Sequence, residues 1–146
     1  MSRKNITVSV LLASLLLFRF FVRNPEIIHV EQSVAMMDLV IKEPPLTRKG
    51  KITWWESNET IIKKKYGSPK GDENGVYFIN LLDGGNGLQK LAEDSSNWFS
   101  FTQRKFYCFD EIKSEERCFE NHIIMTIFHD ESNKVHYLIN DEEILN

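Results

Sequence analysis

The longest apolar stretch of the chain lies at its N-terminus. It runs from Ile6 to Val22, and Arg19 is its only charged residue. A helix over residues 6–22 would measure roughly 25 Å, slightly less than the roughly 30 Å of a bilayer's hydrocarbon core. The long Arg19 side chain makes up the difference, because its guanidinium can extend to the headgroups. The pattern therefore predicts a single transmembrane helix at residues 6–22.

The residues that follow this stretch predict that it is not cleaved. Signal peptidase needs small residues soon after the apolar run, whereas residues 19–23 read Arg-Phe-Phe-Val-Arg. Lipoprotein processing needs a cysteine there, and both cysteines lie far downstream. We therefore interpret residues 6–22 as a signal anchor. A buried core helix of a soluble domain is the alternative.

Basic residues set the expected orientation of the anchor. Two basic side chains and the N-terminal amine precede the apolar stretch, and Arg19 and Arg23 lie towards its other end. This balance favours a cytoplasmic N-terminus. We expect residues 1–5 to form a cytoplasmic tip and residues 26–146 to form a periplasmic domain, in a single-pass protein of a bacterial inner membrane.

Beyond the anchor the hydrophobic period changes from strand-like to helical and back. Between Thr47, a suitable N-cap, and Gly67, a helix terminator, apolar residues recur at helical intervals and predict one main helix. Alternating or β-branched segments predict strands at residues 26–34, 36–43, 76–82, 101–109, 122–129 and 135–139. Segment 76–82 is apolar on both faces, which predicts a central strand. Because helices and strands do not alternate, we expect an α+β fold with a mostly antiparallel sheet, preceded by the transmembrane helix.

Composition fits one folded domain and narrows the possible partners. The 146 residues are 42% hydrophobic, 12% aromatic and 27% charged, which is enough apolar material for one core. The formal net charge is -3 and the sequence pI is about 5.8. Such a chain has no basic field for a polyanion, so nucleic-acid binding is disfavoured.

The chain has two cysteines, Cys108 and Cys118, on either side of a polar, charged segment. Their spacing suits a disulfide that closes a loop between two strands, and the chain-entropy model gives such a bridge roughly 2.5 to 3 kcal/mol. A zinc site would need more ligands than the nearby His122 supplies. Two free thiols are the alternative. A bridge would agree with an oxidising compartment.

No segment has the pattern of a catalytic, cofactor or metal site. The glycines at residues 84–87 lack the following helix, lysine and hydroxyl residue of a phosphate loop, which indicates a strand-connecting loop. Two of the four histidines, His122 and His129, have opposite parity on one predicted strand, so their side chains point to opposite faces of the sheet. We expect all four histidines at the surface or at strand ends: His29, His122, His129 and His136. The acidic cluster is interpreted as a solvated loop: Asp110, Glu111, Glu115, Glu116 and Glu120.

The neighbouring pair Trp54 and Trp55 is the candidate partner-binding feature. Adjacent helical residues point about 100° apart, so one helix cannot bury both on a single face. One tryptophan should anchor the core. The other is available to line a groove or rest against the sheet edge, and exposed tryptophan is a recurrent binding anchor. Packing of both within the domain is the alternative.

Several sequence strings resemble one known family. These are Lys-Gly-Lys-Ile-Thr-Trp-Trp-Glu at 49–56, Lys-Lys-Lys-Tyr-Gly at 63–67, Tyr-Cys-Phe-Asp-Glu-Ile at 107–112 and Cys-Phe-Glu-Asn at 118–121. Together with the anchor they resemble the enterobacterial membrane proteins grouped as domain-of-unknown-function family 943. That family often has Gly-Asp-Gly-Tyr where this chain has Gly84-Gly85-Asn86-Gly87. The resemblance implies an envelope protein of unassigned activity and supplies no catalytic residues.

Two classes of function fit these expectations. The first is a protein-binding module, of the immunity type or an envelope accessory, that holds a toxin or an envelope component at the membrane; tethering raises the local concentration of such a module. The second is a small periplasmic hydrolase whose carboxylates or histidines converge only in the fold. We favour the binding module.

Overall fold

A hairpin opens the folded part of the chain. The computed structural model describes residues 8–9, 12–15, 23–90, 106–120, 122–140 and 142–145. Strands β1 (Glu26–Gln32) and β2 (Met36–Lys42) pair antiparallel, with an irregularity between Ile27 and His29. The turn is closed by Ser33, whose backbone N–H donates to the carbonyl of Met36 at 2.8 Å. The two predicted strands are confirmed.

Helix α1 (Arg48–Tyr66) begins and ends where the sequence predicted. The Thr47 hydroxyl oxygen accepts the backbone N–H of Gly50 at 3.0 Å, which caps the first turn. At the other end the Gly67 N–H donates to the carbonyl of Lys63 at 2.9 Å, with Gly67 at a φ of 87°. That left-handed conformation is accessible to glycine without steric cost, so the helix ends there.

The helix connects two parallel strands. Strand β3 (Tyr77–Asp83) pairs parallel with β2, and helix α1 is the crossover between them. The sequence predicted no alternation of strands and helices, and this one strand–helix–strand unit corrects that expectation. The helix is needed for a geometric reason. Two neighbouring parallel strands such as β2 and β3 need a connection long enough to return along the sheet.

The remaining strands complete two sheets. They are β4 (Gln89–Lys90), β5 (Phe106–Cys108), β6 (Glu116–Glu120), β7 (Ile123–His129), β8 (Val135–Ile139) and β9 (Glu142–Leu145). The larger sheet has the order β1-β2-β3-β7-β8-β9, antiparallel except for β2 and β3, and the smaller has the order β4-β6-β5. The fold class is therefore α+β with a mostly antiparallel sheet and one main helix, as predicted, and β3 is central.

Helix α1 and the smaller sheet cover opposite faces of the larger sheet. On the helix side Trp55 and Ile62 pack with alternate strand residues such as Leu39, Ile79 and Ile127, and we call this cluster the main core. On the other side a smaller cluster, the interlayer cluster, joins the two sheets and consists of Val40, Leu82, Phe109 and Phe119. Residues of β2 and β3 enter both clusters by alternation along each strand.

Three elements differ from the sequence expectation. Strands β4, β6 and β9 were not predicted, because β4 is two residues long and β6 and β9 contain charged residues that mask their alternation. Of the predicted strand 101–109, residues 101–105 lie outside the described residues.

Most of the predicted anchor at residues 6–22 also lies outside the described residues; residues 8–9 and 12–15 are described and helical. Within the described part of the chain, no helix has both the length and the apolar character to cross a membrane.

Candidate functional site

A small cavity lies at the edge of the interlayer cluster. Its volume is about 80 Å³, and it is lined by His29, Glu31, Asp38, Val40, Leu82, Tyr107, Phe109 and Phe119. Sites for drug-sized ligands measure roughly 300 to 1,000 Å³. The cavity therefore suits the end of one side chain rather than a whole metabolite.

Three aromatic rings from the smaller sheet form one wall of the cavity. Phe109 and Phe119 stack with centroids 5.5 Å apart and planes inclined by 17°. Tyr107 meets Phe109 edge-on at 5.3 Å. Phe109 and Phe119 are 5% and 3% exposed, whereas Tyr107 is 43% exposed. The wall is thus buried at its base and open to solvent at its rim.

A disulfide holds this aromatic wall in register. Cys108 and Cys118 lie directly opposite each other on β5 and β6 and are bridged. The predicted disulfide is therefore present, and it joins two strands as expected. Tyr107 and Phe109 flank one cysteine and Phe119 follows the other, so the bridge fixes the rings that line the cavity.

Two carboxylates lie at the polar end of the cavity. Glu31 and Asp38 are cross-strand partners on β1 and β2. Asp38 accepts a hydrogen bond from the Asn80 amide at 2.8 Å, and Asn80 in turn accepts one from the Thr126 hydroxyl at 2.8 Å. Glu31 accepts one from the Tyr107 hydroxyl at 3.3 Å. Each carboxylate is thus held by a neutral donor, and among the described residues no cationic side chain pairs with either.

The charge of Glu31 acts on Tyr107. It raises the pKa of the Tyr107 phenol, with smaller contributions from loss of solvent and from the hydrogen bond itself. The phenol therefore remains protonated and continues to donate to Glu31. At the cavity rim a tyrosine hydroxyl therefore lies beside a carboxylate that has no cationic partner among the described residues.

The structure separates the two tryptophans of helix α1. Trp55 is fully buried in the main core, so it is the member of the pair that anchors the core. Trp54 is half-buried and packs against the same cluster, and its backbone carbonyl accepts the Asn58 amide at 2.7 Å. Only Trp54 keeps a solvent-exposed part, and a binding role for it stays a prediction.

The four histidines do not come together. His29 lines the cavity with its ring 3.6 Å from that of Phe109, and His122 is exposed just before β7. His129 is at the end of β7, one of the two predicted kinds of position, and there it is buried, 4% exposed and stacked on Tyr77. Every second side chain of β7 faces the main core, and His129 lies on the same face as Met125 and Ile127, which explains its burial. Burial also lowers its pKa, as does the charge of Lys63.

His136 forms a separate charged cluster at the far end of the larger sheet. Its two ring nitrogens contact Asp130 at 3.0 Å and Glu143 at 2.8 Å. These two hydrogen bonds raise the pKa of His136, and the His136 contact holds that of Asp130 well below its usual range. In the described part of the chain, no group of three or more His, Cys, Asp or Glu side chains could hold a metal ion.

The glycine segment is a strand-connecting loop between β3 and β4, as predicted. The Gly84 N–H donates to the carbonyl of Ile41 at 2.8 Å, and a Cβ at this position would lie 2.9 Å from that oxygen. Glycine is thus required by the close approach of the loop to β2. The predicted acidic residues are all exposed, although two of them, Glu116 and Glu120, lie in β6 rather than in a loop.

Fold and site together define a disulfide-braced α+β domain with an acidic, aromatic-walled cavity between its sheets. The chain belongs to the family described as "Enterobacterial putative membrane protein (DUF943)", which matches residues 1–145. The predicted family is confirmed. The family's description as a membrane protein supports membrane association. No curated protein and no solved structure matches the chain.

The cavity residues were missed by sequence reasoning. Cavity formation depends on how two sheets stack, which strand periodicity does not encode. One signal was available: Asp38 and Asn80 are polar residues within otherwise apolar strands. Buried polar groups need partners, so two of them on neighbouring strands indicate a hydrogen-bonded pair facing away from the main core.

Proposed function

We propose that this protein is a protein-binding module tethered to the inner membrane, with its α+β domain in the periplasm. The module is of the immunity type or an envelope accessory. The observation that carries the proposal is the cavity between the sheets, whose size suits one anchoring side chain of a partner. Interfaces gain most of their free energy from a few such anchors seated in pockets.

The position of the cavity along the chain supports a role close to the membrane. Glu31 lies nine residues after Val22, the last residue of the proposed anchor. Even a fully extended segment of that length reaches only about 30 Å. A partner seated at the cavity would therefore be held near the membrane surface, where tethering raises its effective concentration.

A second function, a small periplasmic hydrolase, has one observation in its favour. His29 lines the same cavity as Glu31 and Asp38, so an imidazole and two carboxylates share one site. General acid–base catalysis uses such groups. The small volume favours a side-chain anchor over a substrate, and we therefore place the hydrolase second.

Topology is tested by reporter fusions at Asn146. A periplasm-dependent phosphatase fused there should be active in cells, and a reporter that works only in the cytoplasm should be silent. The reverse pattern would reject a periplasmic domain. A variant lacking residues 6–22 should lose membrane association, and retention of that association would reject the anchor.

Partner binding is tested by capture with the full chain in mild detergent. Tyr107→Ala removes the exposed rim of the cavity, and Ile61→Ala is the matched control because Ile61 is 65% exposed on the helix side. Trp54→Ala tests the remaining tryptophan prediction. We expect a partner from envelope extracts or a candidate toxin to be lost with Tyr107→Ala and kept with the Ile61→Ala control. Loss with Trp54→Ala as well would support the tryptophan prediction, and retention would reject it. Turnover of peptidoglycan or ester substrates without partner capture would favour the hydrolase.

A further inference from the structure

We propose that the cavity accepts a cationic side chain, an arginine or a lysine, presented by the protein partner. This inference rests on the proposed binding function and specifies the chemistry of its anchor. It follows from the charge, the aromatic wall and the size of the cavity, each of which restricts the occupant separately.

Charge is the first restriction. Glu31 and Asp38 are like charges at directly opposite cross-strand positions, an arrangement that destabilises a sheet. Their described partners are the neutral Tyr107 hydroxyl and Asn80 amide, which hold the carboxylates in place without cancelling their charge. A cation seated between them would relieve the repulsion and form charge-assisted hydrogen bonds.

The aromatic wall is the second restriction. Lysine and arginine head groups bind over the faces of aromatic rings, an attraction that strengthens when the site is shielded from water. Here Tyr107 is the exposed ring of the wall, whereas Phe109 is buried and already in ring contact with His29 at 3.6 Å and Phe119 at 5.5 Å. A cation at the rim therefore meets Tyr107 first. The apolar part of the cavity also includes Val40 and Leu82, which suit the methylene stem of a long basic side chain.

Size and surroundings are the third restriction. The cavity of about 80 Å³ opens beside a wider groove of about 340 Å³ that shares His29, Glu31, Tyr107 and Phe109 and adds Asp110 and Glu111. The narrow part takes the end of a side chain, and the wider acidic part has room for the backbone that presents it. Because β1 is an edge strand of the larger sheet, an extended basic segment fits this groove.

Model compounds test the inference on the full chain in detergent micelles at pH 8, above the range in which histidines usually titrate. Nα-acetyl-arginine N-methylamide and its lysine counterpart carry the cation, and the citrulline counterpart has nearly the same shape without charge. We expect saturable shifts of the Tyr107 and Phe119 amide resonances with the cationic compounds. Binding of the citrulline compound should be weaker by about tenfold or more.

Matched variants assign the effect to the two carboxylates. Glu31→Gln and Asp38→Asn keep an oxygen that accepts from Tyr107 and Asn80 while removing the charge, and each should weaken binding about tenfold. Glu73→Gln, at an exposed acid in the turn before β3, should leave it unchanged. Circular dichroism confirms that each variant is folded.

Equal binding of the citrulline compound, or carboxylate variants that bind as well as the wild type, would overturn the inference. Absence of binding by the arginine and lysine compounds would also overturn it. In each case partner capture that depends on Tyr107 would still support the proposed binding function. Conversely, cation binding without capture of any partner would leave the cavity as a cation site but overturn both the proposed function and a partner side chain as the occupant.

Discussion

The two faces of the larger sheet are built in different ways. On the helix side, α1 packs Trp55 and Ile62 onto alternate residues of four strands, and the main core is built from apolar side chains, with His129 buried at its margin. On the other side, four buried residues join the larger sheet to a three-stranded sheet that a disulfide braces between β5 and β6. The first face is thus covered by one large apolar core. The second is covered by a small apolar cluster, with a disulfide inside the smaller sheet and side-chain hydrogen bonds around the cavity.

This difference shows where a binding site can exist in a small domain. A close-packed core leaves no room for an occupant, whereas a thin interlayer cluster leaves a cavity at its edge. Polar residues that would be costly in the main core, Asp38 and Asn80, lie on the cavity side, where each finds a partner. Under the proposed function, stability and recognition are thus divided between the two faces.

The largest expected effect is on the helix side. Trp55→Ala removes the largest fully buried side chain and should lower the free energy of unfolding by about 3–5 kcal/mol. Ile61→Ala on the exposed side of the same helix should change it by about 0.5 kcal/mol or less. Urea titration of the full chain in mild detergent, followed by circular dichroism, measures both. Similar losses in the two variants would contradict the assignment of the main core.

The second effect belongs to the smaller sheet. Replacing Cys108 and Cys118 together by alanine should cost roughly 2.5 to 3 kcal/mol. Hydrogen exchange should show the difference between the faces, with amides of β5 and β6 losing protection while those of β3 and β7 keep it. Equal loss of protection in β7 would show that the two layers unfold as one unit.

The smallest effect lies at the far end of the cavity-bearing face, at His136. Its pKa is raised above the ordinary 6.5, first by Asp130 and then by Glu143. Its contribution to stability is therefore fully present below the unfolded-state pKa and is lost as the pH rises through the folded-state pKa. Thermal unfolding from pH 5.5 to pH 9 should show this loss in the wild type and not in His136→Gln.

The comparison with His136→Gln also removes an opposing contribution. Burial lowers the pKa of His129, so its contribution is lost as the pH falls below the ordinary histidine value. This pH dependence of stability from His129 is present in both the wild type and His136→Gln, so it cancels in the difference between them. A difference that does not depend on pH would contradict the ion pairs of His136.

The sequence predicted the parts of the fold that depend on local pattern. Thr47 and Gly67 marked the ends of α1, the doubly apolar segment 76–82 marked the central strand, and the cysteine spacing marked the disulfide. It did not predict β6, because charged residues interrupt its alternation, nor the parallel pairing of β2 with β3. Pairing partners are set by the packing of α1, and that packing is a tertiary effect.

The site was harder to predict for the same physical reason. Glu31 and Tyr107 are 76 residues apart and meet only because the smaller sheet stacks on β1 and β2. The sequence instead drew attention to Trp54 and Trp55, where an unusual residue type is locally visible. Trp55 proved to be a core residue.

The most direct test of the account compares the two faces in living enterobacterial cells that express the protein from its own locus. A photo-crosslinking residue is placed either at position 107 on the cavity rim or at position 61 on the exposed side of α1. The account predicts an adduct with an envelope or incoming protein from position 107, attached to a segment that contains arginine or lysine, and strongly reduced by Asp38→Asn. Adducts from position 61 alone, or from both positions equally, would contradict it.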